Sequence, residues 1–278
     1  MSDLQVEQRS DLKLPTPSDE AVARSVDTDF EVSVVMPCLN EAETVGLCVE
    51  KAIAALDVNN IRGEVVVVDN GSTDGTDVVG RKLAETHNNV RFLQLQQRGR
   101  GRALRVAWMQ SSADIVGYMD VDLSTELAAV PRAVEAISKE GYDIAVGSRL
   151  LSVSRTKRSL MREAISQIYN LFVKAILFTR FSDAQCGFKF VTREVIERVV
   201  PQIKDQSWFF DTEMLVLAEK QGYRIKDLAV VWVEDDDSRV KIIRTAWEDI
   251  KGVFRLRKLL WSRQFVQSTA LHGKRVHS

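Results

Sequence analysis

From residue 31 onward the chain alternates short β-branched runs with stretches of helical period. Glu31–Met36 (EVSVVM), Glu64–Val68 (EVVVV), Val90–Leu95, Ile115–Met119 and Asp143–Val146 read as strands, since Val and Ile suit a pleated, packed surface. Between them, Glu41–Leu56, Asp74–Thr86, Gly101–Ser111 and Val130–Ser138 carry apolar residues at helical spacing. Strands that are apolar without alternation are buried on both faces. That pattern predicts an α/β fold, a mainly parallel sheet with helices on both sides. Ligands of such sheets bind in the crevice beyond the carboxyl ends of the strands. The polar motifs of this chain fall at those ends.

After about residue 150 the pattern changes. Arg155–Arg162 is basic and leads into an apolar-rich helix that ends at Phe181, with about 159–181 expected to lie at an interface. A strand over Ala184–Phe190, a helix over Val191–Val200, a helix after Trp208 and a strand over Tyr223–Val233 follow. Residues 239–263 repeat the helical period, with Trp247, Ile250, Phe254 and Leu260 among eight basic residues and two acids. The expected organisation is a polar, flexible tail over 1–28 without signal-peptide character, a catalytic domain over 29–240, and a basic amphipathic segment over 241–278.

Composition narrows the function classes. With 278 residues and a net charge of −1, nothing announces a polyanionic partner, so nucleic acid is not expected. Cys38, Cys48 and Cys186 match no metal or disulfide spacing, which favours a reducing compartment. The most apolar stretch, LFVKAILFTRF (171–181), is broken by Lys174 and Arg180, so no membrane span is expected.

The fourth strand ends on Asp120-Val121-Asp122. In extended backbone, residues two apart face one side, and two carboxylates there repel unless a cation or proton settles them. A Mg²⁺ or Mn²⁺ ion that also bridges to a diphosphate would do so, because diphosphate oxygens are hard ligands. The alternative is a surface turn in which Asp122 or Ser124 caps the next helix. The first strand runs into Pro37-Cys38-Leu39-Asn40-Glu41 and the second into Asp69-Asn70-Gly71-Ser72-Thr73-Asp74. Turn and cap formation explains Ser72 to Thr76. Asp69, directly after four valines, is placed to accept a nucleobase N–H, and Glu41 a ribose hydroxyl.

Taken in order, V-V-M-P-C-L-N-E, V-V-V-D-N-G-S-T-D-G-T, R-G-R-G-R-A-L and M-D-V-D-L-S resemble the family 2 glycosyltransferases of GT-A fold, a Rossmann-like architecture. The resemblance spans roughly residues 31–240. V-G-S-R, D-A-Q-C-G-F-K-F, W-F-F-D-T-E-M and V-W-V-E-D-D-D-S-R-V resemble the dolichyl- and polyprenyl-phosphate sugar synthases, most of all the dolichyl-phosphate β-glucosyltransferases. It implies metal-dependent, inverting transfer of a hexose, glucose favoured, from a nucleotide-diphosphate sugar such as UDP-glucose to a lipid monophosphate. Pro37, Asn40, Glu41 and Asp69 would hold the nucleoside, Asp120 would lie near ribose or metal, and Asp122 would be the main metal ligand. Ser124 stands where that branch often has Gln. Arg100 replaces the lysine of a Gly-Lys-Gly loop and keeps its charge with a different fork.

An acceptor phosphomonoester, with a second pKa of about 6, is anionic at neutral pH and needs no base. It needs fixed cations, and Arg149, Arg162 and Arg239 are suited to that, since arginine pairs bidentately with phosphate. Asp211 is the candidate carboxylate on the acceptor side, with Glu213 expected to face elsewhere. Asp235-Asp236-Asp237 reads as a solvated loop. A lipid acceptor implies a peripheral protein at the cytoplasmic face of a membrane, or one with a separate membrane-spanning partner. Mannosyl transfer from GDP-mannose, and hexosyl transfer to a small soluble acceptor such as glycerate, are the alternatives.

Overall fold

A computed structural model describes residues 30–122, 124–157, 160–233 and 242–262. The strands in chain order are β1 (Val32–Cys38), β2 (Gly63–Asp69), β3 (Val90–Gln94), β4 (Ile115–Met119), β5 (Ile144–Ser148), β6 (Arg155–Lys157), β7 (Phe188–Thr192), β8 (Ile225–Ala229) and β9 (Val231–Val233). The helices are α1 (Val45–Val58), α2 (Thr76–Thr86), α3 (Arg100–Gln110), α4 (Ala129–Ser138), α5 (Leu160–Leu177), α6 (Arg193–Arg198), α7 (Phe210–Lys220) and α8 (Ile242–Leu260). Seven strands make one sheet in the order β3-β2-β1-β4-β7-β5-β8, and β6 with β9 makes a second, two-stranded one.

The large sheet is parallel except at β7, which runs against both β4 and β5. This reversal brings the amino end of β7 to the carboxyl end of β4, with Phe188 opposite Met119. Cys38 pairs with Asp69, and Asp69 with Gln94, so three strand ends come level at one edge. Both faces are buried, as the unbroken valines predict. Val35, Val66 and Val68 pack toward Trp108, Phe210 and Val253, and Val34, Val65 and Val67 toward Val45, Leu56 and Phe92. Each fully buried Val contributes roughly 1.5–3 kcal/mol over an exposed one.

Several boundaries differ from the sequence expectation, each for a tertiary reason. The helix expected from Glu41 begins at Val45, because the N–H groups of Glu41 and Ala42 donate to Thr76 Oγ1 and Asp74 Oδ2 across the loop. α2 starts at Thr76, whose N–H and hydroxyl both bond to Asp74 Oδ1. The apolar helix stops at Leu177, where Phe178 turns to a φ of +54°. Residues 184–187 are a loop before β7, and Val191 and Thr192 complete the ladder that α6 was expected to absorb. Thr192 then caps α6 by accepting from Val195 N. The single strand expected over Tyr223–Val233 is two strands in two sheets, since β8 pairs with β5 and β9 with β6. The expected tail over 1–28, Asp235 to Asp237 and Arg239 lie outside the described residues. Among the described residues no helix is long and apolar enough to cross a membrane.

Candidate active site

β4 delivers Asp120 to the crevice with its carboxylate already engaged. Arg100, the first residue of α3, places Nη2 2.7 Å from Asp120 Oδ1, and its Nε lies 3.8 Å from Asp211 Oδ2. The guanidinium is held between the rings of Tyr118 and Trp208, 5.2 and 5.0 Å from their centroids. Burial works against the charge on Arg100, and Asp120, Tyr118 and Asp211 together more than offset it. Even so, burial pushes the Asp120 carboxyl above its ordinary value, and Asp122 and Asp211 push it the same way. The repulsion in the acid pair is therefore only partly settled by the protein's own cation.

Glycine at 187 is a geometric necessity. A Cβ there would stand 1.7 Å from Asp120 Oδ2, and Asp120 N donates to Gly187 O at 3.1 Å. Asp122 is exposed, and its Oδ1 accepts from Ser124 N at 2.9 Å in a local turn, but neither residue caps α4, whose amino end at Ala128 has no side-chain cap. Ser124 adds a second observation. Its hydroxyl is buried and has no hydrogen-bond partner among the described residues, while its backbone carbonyl accepts from Val233 N. Asp120, Asp122 and Ser124 thus offer only oxygen donors within five residues of chain, a chemistry that fits a hard divalent ion. Among the described residues no group of three or more His, Cys, Asp or Glu side chains is placed to hold a metal ion, so any ion here would take at most two carboxylates from these residues. On the far side of this loop, Cys48 of α1 bonds to Val121 O, and burial, then Asp122, push its thiol up to about 11.

The loops after β1, β2 and β3 are tied to one another. Asn40, at a φ of +57°, accepts from Thr73 N through Oδ1, and its own N–H donates to Ser72 Oγ. Asn70 Oδ1 accepts from Gly99 N, and the N–H groups of Gly101 and Arg102 donate to the carbonyls of Ser207 and Gln206. Asp69 is fully buried. Its Oδ1 accepts from Ser72 N, and its Oδ2 has no hydrogen-bond partner among the described residues. Pro37 is half-buried in β1 opposite Val68. Glu41 Oε2 accepts from the Thr44 hydroxyl. The structure thus brings Pro37, Asn40, Glu41 and Asp69 to one edge of the sheet, with Asn40 acting as a clip between loops.

The acceptor side differs from expectation at Arg149. Its fork is already closed: Nε and Nη2 bond to Asp183 at 2.7 and 3.0 Å, and the guanidinium lies over Trp232. Burial pushes the Asp183 carboxyl up, and Arg149 more than offsets it, holding it below the usual range. Arg149 thereby braces the 183–187 loop, because a buried carboxylate needs its charge there. Arg162 lies in the first turn of α5, and its side chain is outside what the structure describes. Asp211 is buried at the centre of the site, accepting from the Tyr118 hydroxyl at 2.6 Å. Glu213 faces the other way, bound bidentately by Arg255 of α8.

Sequence reasoning passed over Lys189. This lysine is wholly buried, donating to Cys186 O and Tyr118 Oη, with Asp211 Oδ1 3.4 Å away. Its signal was a lysine inside an otherwise apolar strand, in Q-C-G-F-K-F. Burial, then Asp211, drives the Tyr118 hydroxyl well above its ordinary pKa, so it remains a donor to that carboxylate. Asp120, Arg100, Asp211, Tyr118 and Lys189 form one charge-balanced network under the crevice.

A seven-stranded sheet with one reversed strand beside an acid pair at the fourth strand end is an arrangement of GT-A type. The family model described as glycosyl transferase family 2 matches residues 33–200, and the chain belongs to that family: it is a glycosyltransferase. It is similar to glycosyltransferase AglD of Haloferax volcanii, 33% identical over 240 residues, 85% of this chain and 38% of the relative. The dolichyl-phosphate beta-glucosyltransferase of Dictyostelium discoideum is 30% identical over 240 residues, 81% of this chain and 73% of the relative. The chain thus spans well under half of the first relative's length. In fold it resembles glucosyl-3-phosphoglycerate synthase of Mycobacterium tuberculosis, with a TM-score of 0.64 at 20% identity, covering 82% of this chain and 80% of that one.

Proposed function

We propose that the protein transfers a hexose, glucose first among them, from a nucleotide-diphosphate sugar to a polyprenyl or dolichyl monophosphate, with inversion, at the cytoplasmic face of a membrane. The Dictyostelium relative, by name a dolichyl-phosphate beta-glucosyltransferase, supports the acceptor class. The observation that carries it is an exposed two-helix face. On α5, Met161, Ile165, Ile168 and Leu171 line one side and run on to Phe178. On α8, Trp247, Lys251, Phe254 and Lys258 recur at helical spacing on the outer side, and Trp261 follows just after the helix. Phe172 meets Phe254 edge-on, Lys251 lies over Trp247, and Arg257 lies over both Phe178 and Trp261. Tryptophan interleaved with lysine and arginine is the chemistry of an anionic lipid surface. A small soluble acceptor would have no use for it.

In this reading Asp69 accepts from the base, Glu41 from the ribose, and Arg100 faces the donor's phosphates. A Mg²⁺ or Mn²⁺ ion held by Asp122, with Asp120 and Ser124, would supply positive charge to the leaving diphosphate. The described cations of the site, Arg100, Arg149 and Lys189, each already face a carboxylate. The lipid phosphate then falls to the basic residues of 155–162 and to Arg239. Being anionic already, it attacks without a general base.

The test is transfer of labelled hexose from UDP-glucose and, in parallel, GDP-mannose, to polyprenyl phosphate in detergent and to water-soluble acceptors including 3-phosphoglycerate. Product on the lipid phosphate is expected. Product on the soluble acceptors alone would overturn the reading.

A further inference from the structure

α8 lies outside the stretch that the family model matches, residues 33–200, yet its inner face is built into the site. Gly252 lets the helix approach Phe209 so closely that a Cβ would stand 2.5 Å from that ring. Val253 and Leu256 are fully buried, and Arg255 grips Glu213. Beside them, on the same inner face, sits an acid. Asp249 is 2% exposed, and its Oδ2 accepts from Gln185 Nε2 at 3.1 Å. Its Oδ1 is buried and has no hydrogen-bond partner among the described residues.

A carboxyl in that position is costly. Burial, then Asp205 of the segment before α7, Glu248 of α8 and Asp211 of α7, push it up to about 7, and the Gln185 bond pulls only partway back. A buried group left half-satisfied lowers the stability of the folded state. An apolar residue would stabilise α8 better, so stability does not account for Asp249.

Its single partner points to what does. Gln185 lies in the 183–187 loop, whose members hold the site groups in turn. Asp183 binds Arg149 and accepts from Gln185 N at 3.1 Å. Cys186 O accepts from Lys189 Nζ at 2.6 Å. Gly187 O accepts from Asp120 N, with no space to spare against the Asp120 carboxylate. A shift of Gln185 is therefore passed within two residues to Asp120.

We propose that Asp249 is a positioning residue for the acid pair: by holding Gln185 it fixes the 183–187 loop, and with it the place of the Asp120 carboxylate. The proposal rests on the reading of Asp120 and Asp122 as a divalent-ion site. Groups that orient the ligands of a metal are worth about 10–100-fold in its affinity.

The experiment is calorimetric titration of Mn²⁺, with UDP present, into the wild-type chain and into Asp249→Ala, Asp249→Asn, Gln185→Ala and the Asp249→Ala/Gln185→Ala double variant. Both alanine variants are expected to bind at least tenfold more weakly. Asn, whose side-chain oxygen still accepts from Gln185, is expected to recover binding to within about threefold, since it restores the one bond the loop receives from α8. The double variant is expected to bind no more weakly than either single one, because both remove one link. Wild-type affinity in both alanine variants, or losses that add, would overturn the proposal while leaving the metal site standing. A wild-type chain that takes up no Mn²⁺ would sink both together. Gln185→Ala, which changes no residue of α8, decides the matter if Asp249→Ala does not fold.

Discussion

Arg100 Nη2 and Asp120 Oδ1 stand 2.7 Å apart, so the first acid of the pair is held by the cation that replaces the lysine of the Gly-Lys-Gly loop. The same guanidinium faces Asp211 and lies between Tyr118 and Trp208. Lysine carries the charge but neither the fork nor the flat surface. Arg100→Ala is expected to leave the half-buried Asp120 without its cation, while Asp211 keeps Tyr118 and Lys189, costing about 1–3 kcal/mol in denaturant unfolding. Arg100→Lys should recover part of that stability and little of the transfer rate.

Asp122 is the opposite case. It is exposed, and its one bond within the described residues goes to Ser124 N. Asp122→Ala is expected to abolish transfer while moving stability by no more than about 1 kcal/mol, the loss of a single turn bond. Wild-type turnover in the variant, or by the native enzyme in excess chelator, would show the metal assignment wrong.

Gly187→Ala places a methyl group where the Asp120 carboxylate now is. Either β7 slides from β4 or the carboxylate turns away. The expected result is destabilisation by roughly 1–3 kcal/mol, the usual cost of overpacking, together with loss of transfer. Unchanged activity would mean that Asp120 can leave this position without consequence.

Arg149 and Asp183 give a pH dependence. The folded Asp183 carboxyl is held below its unfolded value, near 4. Its contribution to stability is therefore fully present above pH of about 4 and is lost as pH falls through its lower folded value. Arg149→Ala should cost about 3–5 kcal/mol at neutral pH by stranding Asp183. The loss should be smaller in acid, where the stranded carboxyl protonates. Thermal unfolding followed from pH 3 to 7 would show both.

Asp249 works in the other direction. Its carboxyl, pushed up to about 7 by burial and by Asp205, keeps a proton in the folded chain that the unfolded chain has released from about pH 4 upward. Stability should decline as pH rises through that window, by up to about 4 kcal/mol. Asp249→Asn should remove that decline. A variant with the same slope as the wild type would mean that Asp249 is ionised throughout.

The valine runs determined the sheet and its burial on both faces, because four consecutive β-branched residues can be hidden only by helices above and below. They also placed the acid pair, Asp69 and Asn40 at strand ends, and so at a common edge. Which strand runs backwards was decided by the tertiary structure alone. The reversal of β7 depends on what lies beside Phe188 in space, and local residue preference carries no strand direction. The same holds for Arg149 and Asp183, 34 residues apart in the chain, and for Asp249 and Gln185, 64 apart. A charge on a sequence looks free until the fold shows which carboxylate has claimed it. Composition and period record what each residue tolerates, whereas partnership in a buried site is set by long-range packing.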